Sequence, residues 1–404
     1  MGVPAAETIR TVLWAICVDG ASNRVAIAGR SGTARSTVAS TVEFLIAQGV
    51  LVERDVHDGS RGRPARELAL GPRSPLAGIV AFTPGATIAA ISDLHGIVRS
   101  RRVVRNALSI GPETAVDTAA LMIDEMIEQQ PAQSRVELVV ASIGAPVNVR
   151  TGSVVRSNNR SGPVSFPSLG WEDFPVASYL SRVLGAPAIL ENDVHLLTIG
   201  DGVGVGRDRL PLVRLHASIG LGAGFLDSDG QLFRGVGGVA GDVAHLVLES
   251  SSKHVCWCGK RGCISQTATI HSIGRDLGLP APAGDQRLPA VLREAVANHD
   301  ESAVQRIRDA ADAVGRLAAV LVDVLNPGRL VLSGELLHLG SDALTRIRTA
   351  VFERALPSAS RHVDVTVATD DEDGTLPGAA RLAADRMLSD PAALRMMRVA
   401  GAAI

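Results

Sequence analysis

A cluster of cysteines is the strongest sign of chemistry in this 404-residue sequence. Cys256, Cys258 and Cys263, three of its four cysteines, lie in the segment HVCWCGKRGC. Three thiolates and one imidazole satisfy a tetrahedral zinc ion, and we expect His245 to be the fourth ligand because His254 lies too close to Cys256 in the chain. The alternative is three buried thiols without a metal. With four protein ligands the predicted zinc site is closed, and therefore structural.

Composition limits the classes of protein that the chain can belong to. Its length predicts two or three domains. Its net charge is −2, so contact with nucleic acid requires a local basic patch. The apolar run TVLWAICV is too short to span a bilayer and lacks the flanks of a signal peptide. We therefore expect a cytoplasmic protein with reduced cysteines and no membrane partner.

Residues 1–70 are predicted to form a DNA-binding domain. An amphipathic helix, a short apolar helix and the turn RSGT precede a further helix from about Ala34 to Gln48, which Thr33 caps. This order is that of a helix-turn-helix, which presents the N-terminal end of its second helix to the major groove. The side chains expected to reach bases or phosphates there are Thr33, Arg35, Ser36, Thr37, Ser40 and Thr41.

A hairpin is predicted directly after this helix. Two strands flank the turn DGSRGRP, with Arg61, Arg63 and Arg66 on the tip and the return strand. Arginines on such a wing suit phosphate or minor-groove contact. The alternative is a small helical oligomerisation module with a solvated basic loop. Residues 71–77 are the predicted linker to a domain at 78–404.

Strands and helices alternate in the remainder of the chain. LAGIVAF and TIAAISDLHGIVRS are predicted as consecutive strands, and a long helix at 301–325 stops at NPG before the strand RLVLSG. This alternation predicts an α/β fold with two sheet-based lobes and a cleft between them.

Five motifs carry a family resemblance. ENDV, HASIGLGAGF, GVAGDVAH, CWCGKRGC and NPGRLVLSGE occur in the order found in the ROK family of repressors, open reading frames and sugar kinases. With the winged helix-turn-helix in front, nearly the whole chain resembles the transcriptional regulators of that family. The resemblance implies an actin-like (ribonuclease H-like) two-lobed sugar-kinase fold, a structural zinc and a homodimer or homotetramer.

The resemblance also implies a ligand site. In ROK sugar kinases the Asp of an Asn-Asp pair is the general base, and Asn192 and Asp193 match that pair, although Asp193 could equally be a helix N-cap. The family's Glu-x-Gly-His motif begins here with Asp242, and Ser265 replaces a glutamate. The implied effector residues are Gly144, Asn159, Asn192, Asp193, Asp242, His245 and Ser265. The effector is expected to be a sugar or a derivative, with a phosphorylated or acidic sugar and a non-sugar ligand left open.

The phosphate cradle of the family's kinases is altered in this sequence. The stretch VAFTPGATI at 80–88 replaces an Asp-x-Gly-Gly-Thr turn, has no acidic residue for magnesium, and loses a backbone N–H at Pro84. The second glycine loop, Gly220, Gly222 and Gly224, is present, although a simple strand turn explains it equally well. We therefore expect ATP to bind poorly or not at all.

Together the motifs predict a sequence-specific transcriptional regulator, a repressor, that is controlled by a small polar ligand. Its expected partners are a double-stranded DNA operator, the effector and further copies of the chain. Asp193 would then be a vestigial catalytic base. One alternative is a sugar kinase with an appended DNA-binding domain. Another is a module that binds a protein partner through the apolar last segment ALRMMRVAGAAI.

Overall fold

The computed structural model contains an N-terminal helical unit and two β-sheets with their helices. It describes residues 3–56, 65–105, 110–131, 134–155, 170–172, 174–248, 255–256, 258–279, 287–340, 342–368 and 372–389. None of the helices in these ranges is long and apolar enough to cross a membrane.

The N-terminal unit consists of three helices and a hairpin. Its elements are α1 (Ala6–Cys17), α2 (Arg24–Ser31), α3 (Arg35–Ala47), β1 (Leu51–Val56) and β2 (Ala65–Leu70). The side chain of Asn23 caps α2 by accepting from the backbone N–H of Ala26, at 2.9 Å. Gly32, in the left-handed conformation at φ 66°, ends α2 and turns the chain toward α3. Helix–turn–helix–hairpin is the predicted order.

Two predictions for α3 are wrong. Thr33 is not the cap, because Ala34 occupies the N-cap position and no side chain caps the helix. Thr41 faces the core rather than solvent, and its Oγ1 donates to the carbonyl of Thr37 at 2.8 Å. Thr41 lies three residues after the buried Val38 and four before the buried Leu45, so the helical period places it on the apolar face.

The first sheet has five strands in the order β5-β4-β3-β6-β9. Its strands are β3 (Leu76–Thr83), β4 (Ala86–Ser92), β5 (Val98–Arg105), β6 (Val136–Ile143) and β9 (Ala188–Asn192). The helices α4 (Pro112–Glu128) and α5 (Val176–Leu184) cover one face of this sheet. A two-stranded hairpin of β7 (Val147–Asn148) and β8 (Ser153–Val154) follows β6. Strand β3 begins inside the segment predicted as a linker, and Ser74 is already buried.

The single strand predicted over TIAAISDLHGIVRS is two strands. The carboxylate of Asp93 accepts from the backbone N–H groups of His95 and Ile97, at 2.9 and 3.1 Å, and closes a turn between β4 and β5. Aspartate favours such turns because its side chain replaces a backbone acceptor.

The second sheet has the order β11-β10-β12-β13. Its strands are β10 (Leu212–Ala217), β11 (Leu221–Leu226), β12 (Arg329–Ser333) and β13 (Asp364–Val367), and its helices are α7 (Ser265–Ala268), α8 (Ile270–Asp276), α9 (Leu288–Ala297), α10 (Glu301–Leu325), α11 (Ala343–Arg354) and α12 (Pro357–Ser360). Helix α10 has the predicted bounds, because Asp300 caps its start and Asn326, at φ 42°, ends it before Pro327.

Two helices connect the units. Helix α6 (Asp193–Gly202) begins where β9 of the first sheet ends and packs on β10 and β11 of the second. Helix α13 (Thr375–Ser389) packs on α6, and its apolar face shares one core with α1 of the N-terminal unit. The first residues of α6 therefore lie where the two sheets meet.

Candidate effector and metal site

The four predicted metal ligands converge in the structure. The ligand atoms of His245, Cys256, Cys258 and Cys263 all lie within 4.8 Å of one another. Cys256 Sγ lies 3.4 Å from His245 Nδ1, and Cys258 Sγ lies 3.5 Å from Cys263 Sγ. Two sulfurs bound to one tetrahedral zinc are about 3.8 Å apart, so the separations fit a single ion. The cluster could hold a metal, with no position left open. His254 lies outside the described residues.

Local backbone geometry brings these ligands together. The N–H of Cys256 donates to the carbonyl of Lys260, and the N–H of Gly259 donates to the carbonyl of Cys256, both at 2.8 Å. Gly259 has φ 87°, which only glycine adopts without strain. An antiparallel bridge between Val247 and Cys263 fastens the end of this turn beside His245.

The protein environment prepares these groups for a cation. Burial lowers the pKa of His245, which favours the neutral imidazole that a metal ion requires. Burial opposes ionisation of Cys258, but the Lys260 backbone N–H and the two other thiols outweigh it, and the pKa of Cys258 is lowered. Burial and the neighbouring thiols raise the pKa of Cys263 to about 12, so a metal must displace its proton.

The Asn192–Asp193 pair lies at the start of α6. Asn192 caps the helix: its Oδ1 accepts from the N–H of His195 at 3.2 Å, and its Nδ2 donates to the carbonyl of Ala145 at 2.9 Å. This places Asn192 beside Gly144. The N-cap role considered for Asp193 is therefore wrong. Its carboxylate accepts from the N–H of Val194 at 2.8 Å, as the first residue of the helix.

Burial raises the pKa of the Asp193 carboxyl, although His216 and His195 act in the opposite direction. His216, near the end of β10, is therefore part of this site, and its Nδ1 lies 3.0 Å from the hydroxyl of Ser333 on β12. Sequence patterns indicate no role for either residue, although His216 stands in the glycine-rich motif HASIGLGAGF.

Asp242 lies on the loop between β11 and the metal cluster. It is exposed to solvent, yet the surrounding protein raises the pKa of its carboxyl by desolvation, against the effect of His245. Ser265 lies beside the cluster, with its hydroxyl 3.8 Å from Cys256 Sγ. Asp242 and Ser265 thus both adjoin residues of the Cys/His cluster. Asn159 lies outside the described residues.

A buried ionic network joins this loop to α6. Glu191, the last residue but one of β9, accepts from Arg234 Nε at 2.7 Å and lies 2.8 Å from His195 Nδ1. His195 Nε2 lies 2.8 Å from the carbonyl of Ala240. Desolvation raises the pKa of Glu191, but His195 and Arg234 outweigh it and lower the pKa overall. The four-residue spacing of Glu191 and His195 was the only signal in the sequence, and nothing there indicated Arg234.

The segment at 80–88 forms the tight hairpin between β3 and β4. Thr83 Oγ1 donates to the carbonyl of Ala86 and accepts from its N–H, so the turn is closed by a hydroxyl. In the second glycine loop, a Cβ on Gly224 would lie 2.0 Å from Thr198 Oγ1, and one on Gly222 would lie 3.0 Å from Val194 Cγ2. Two of the three glycines are thus explained by the close packing of α6 on β11.

Apart from Thr41, which is buried, the predicted DNA-contacting side chains fall into three groups. Exposed on α3, at and near its start, are Arg35, Ser36, Thr37 and Ser40, with Thr33 half-buried just before the helix. Arg66 is exposed but pairs with Glu53 at 3.1 Å and with Asp55 at 3.6 Å. Arg61 and Arg63 lie outside the described residues.

Fold and site together define a two-lobed α/β protein of the actin-like, sugar-kinase type with a Cys/His cluster on the loop that follows β11. A solved structure described as a ROK family transcriptional regulator, homologue of the E. coli MLC protein, matches it with a TM-score of 0.75 and 20% identity over 98% of this chain and 99% of that one. The predicted fold class is confirmed.

The sequence matches the ROK family over residues 85–386, and the chain belongs to that family. It is 22% identical to the xylose repressor of Caldicellulosiruptor bescii over 373 residues, 88% of this chain and 90% of that protein. It is 27% identical to the glucokinase of Thermotoga maritima over 308 residues, 71% of this chain and 90% of that protein. Its relatives thus include both repressors and kinases, and the alignment with the repressor covers more of this chain.

Proposed function

We propose that the chain is a transcriptional repressor that binds operator DNA and responds to a small polar ligand, a sugar or a sugar derivative, in the cleft beside Asp193. The observation that carries this proposal is the helix–turn–helix–hairpin unit, with the exposed Arg35, Ser36 and Thr37 at the start of α3. Such a helix end fits the major groove. The likeness to repressors over most of the chain supports the same function.

The Cys/His cluster would hold a structural zinc, because three thiolates and one imidazole suit that ion and complete its coordination. The zinc would secure the loop that carries Asp242, three residues before His245. A homodimer or homotetramer, acting in the cytoplasm, would place two DNA-binding units on the half-sites of one operator.

A sugar kinase is the second candidate, because kinases are among the relatives of the chain. The hairpin at 80–88 argues against it. It has no carboxylate to organise magnesium, and its turn is closed by Thr83. Phosphoryl transfer needs magnesium and a phosphate cradle in addition to a base such as Asp193. Incubation with magnesium-ATP and D-glucose, D-xylose or N-acetylmannosamine is expected to give no sugar phosphate.

DNA capture tests the proposal directly. Purified full-length protein is mixed with sheared genomic DNA of the source organism, and the recovered fragments are sequenced. We expect enrichment of a two-fold-symmetric site that is lost with Arg35→Ala. Arg354→Ala is the matched control, since Arg354 is exposed on α11, outside the DNA-binding unit, and its loss should leave capture unchanged. No enrichment by the wild type, with and without the three sugars, would contradict the proposal.

A further inference from the structure

Glu191 binds two basic side chains from different parts of the chain. Its Oε2 accepts from Arg234 Nε at 2.7 Å, while its Oε1 accepts from the backbone N–H of Asn192 at 3.1 Å and faces His195 Nδ1 at 2.8 Å. The side chains of Glu191 and His195 are only 4% and 3% exposed. A buried carboxylate of this kind is stable only while its partners stay in place.

His195 bridges β9 and the loop after β11 through its two ring nitrogens. Nδ1 faces the carboxylate of Glu191 and Nε2 faces the carbonyl of Ala240, each at 2.8 Å. Although burial acts in the opposite direction, the partners of Glu191 lower the pKa of its carboxyl, and Arg234 is the cation that pairs with it. The imidazole of His195 is thus held between a carboxylate on one side and a backbone carbonyl on the other.

The loop between Arg234 and Asp242 is closed on itself. The N–H of Ala240 donates to the carbonyl of Arg234, and the N–H of Asp242 donates to the carbonyl of Val239, both at 3.1 Å. Gly241, at φ 101°, passes so close to β11 that a Cβ would lie 1.9 Å from the carbonyl oxygen of Ala223. The start and the end of the loop are thus both attached to the Glu191–His195 pair.

We propose that Arg234, Glu191 and His195 are positioning residues that hold the Asp242 loop against the start of α6. They would thereby set the spacing between Asp242 and Asp193, on the two sides of the ligand site. The network acts through geometry, since the carboxylate oxygens of Glu191 and the ring nitrogens of His195 all contact protein groups. The inference rests on the proposed function only where it assigns these two carboxylates to a ligand.

Hydrogen exchange tests the positioning without any ligand. Arg234→Ala is expected to raise the exchange rate of the amides of Ala240, Asp242 and Val243 by about tenfold, because the loop loses its anchor. Arg150→Ala is the matched control, since Arg150 donates to the carbonyl of Val236 in the same loop, at 3.1 Å, from the exposed surface. Equal effects of the two variants, or no effect of Arg234→Ala, would overturn the inference.

The ring nitrogens of His195 give a second readout of the network. In protein labelled with ¹⁵N-histidine, the His195 resonances are assigned by their loss in His195→Gln. Glu191→Gln keeps the shape but removes the negative charge that faces Nδ1, so the Nδ1 resonance should shift, whereas Arg150→Ala should leave it in place. An Nδ1 resonance that Glu191→Gln does not move would overturn the contact between the two residues.

Equilibrium dialysis with D-xylose, D-glucose and N-acetylmannosamine measures the consequence for the site. A sugar that binds the wild type should bind Arg234→Ala about tenfold more weakly and Arg150→Ala unchanged. Binding that Arg234→Ala leaves intact would overturn the role in ligand affinity. If none of the three sugars binds, the ligand part of the proposed function fails for them, while the exchange and NMR results still decide the positioning role.

Discussion

Gly378 of α13 lies directly against Leu196 of α6: a Cβ on Gly378 would be 1.8 Å from the carbonyl oxygen of Leu196 and 3.0 Å from the backbone nitrogen of Gly200. The two helices therefore cross at backbone contact. Helix α6 carries the candidate ligand residues at its start, and α13 shares a core with α1 of the N-terminal unit. The contact between α6 and α13 therefore connects the candidate ligand residues to the N-terminal unit through packing.

Gly378→Ala is therefore expected to destabilise the protein by about 1–3 kcal/mol, because backbone atoms cannot move aside as a flexible side chain can. Alanine is otherwise the better helix former by about 1 kcal/mol, so a loss of stability isolates the packing effect. Urea denaturation measures it. Gly29→Ala in α2 is the control, since its Cβ would meet no atom within 4 Å and the change should be neutral or stabilising. Equal midpoints for the two variants would refute the close crossing.

Metal content tests the Cys/His cluster. Cys256→Ser should reduce bound zinc from one ion per chain to a small fraction and lower the thermal midpoint, because a structural zinc contributes directly to folding. Cys17→Ser is the matched control, since Cys17 lies in α1, away from the cluster. Atomic emission measures zinc in both purified proteins. Full zinc content in Cys256→Ser would exclude that thiolate as a ligand.

The raised pKa of Asp193 predicts that ionisation of its carboxyl lowers the free energy of unfolding, so stability at this position depends on pH. The folded protein holds the proton more tightly than the unfolded chain, whose carboxyl has the ordinary value of 3.8. The stability contributed at this position is therefore greatest below pH 3.8 and falls as the pH rises through the higher folded value. Asp193→Asn removes this dependence and should stabilise the protein at neutral pH by on the order of 1 kcal/mol.

Urea denaturation across a range of pH values checks this difference. Asp229→Asn, at an exposed aspartate, is the control and should change stability little at any pH. A neutral-pH midpoint of Asp193→Asn equal to or below that of the wild type would show that the Asp193 carboxylate is well compensated in the fold.

Local sequence patterns predicted much of this structure. The ends of α10 follow from Asp300 and Asn326, and the Cys/His cluster follows from the cysteine spacing and the nearby His245, because residues close in the chain decide both. The prediction for Thr41 is wrong because a hydroxyl side chain suggests solvent contact, whereas the helical period places this residue on the apolar face. Its hydroxyl donates a hydrogen bond to the carbonyl of Thr37, which allows a threonine to occupy a core position.

The network around Glu191 could not be predicted in the same way. Arg234 lies 43 residues from Glu191 in the chain, and the meeting of the two depends on how the β11 loop folds back over α6. The role of Gly378 depends likewise on a tertiary crossing with Leu196. Such pairings are set by long-range packing, which one sequence without its relatives does not encode in any short pattern.

The exposure of the side chains on α3 predicts which of them would contact DNA in the proposed complex. Ser36 is exposed at the start of the helix, whereas Thr41 is buried, so Ser36→Ala should weaken binding to the captured operator and Thr41→Val should not.

Arg35→Ala should also reduce the slope of log affinity against log salt by about 1 if its partner is a phosphate. Fluorescence anisotropy with a labelled operator at several salt concentrations measures all three. Thr41→Val instead loses the buried hydrogen bond to Thr37, which should lower the free energy of unfolding by about 1 kcal/mol. Weaker operator binding by Thr41→Val at unchanged stability would mean that this residue faces the DNA after all.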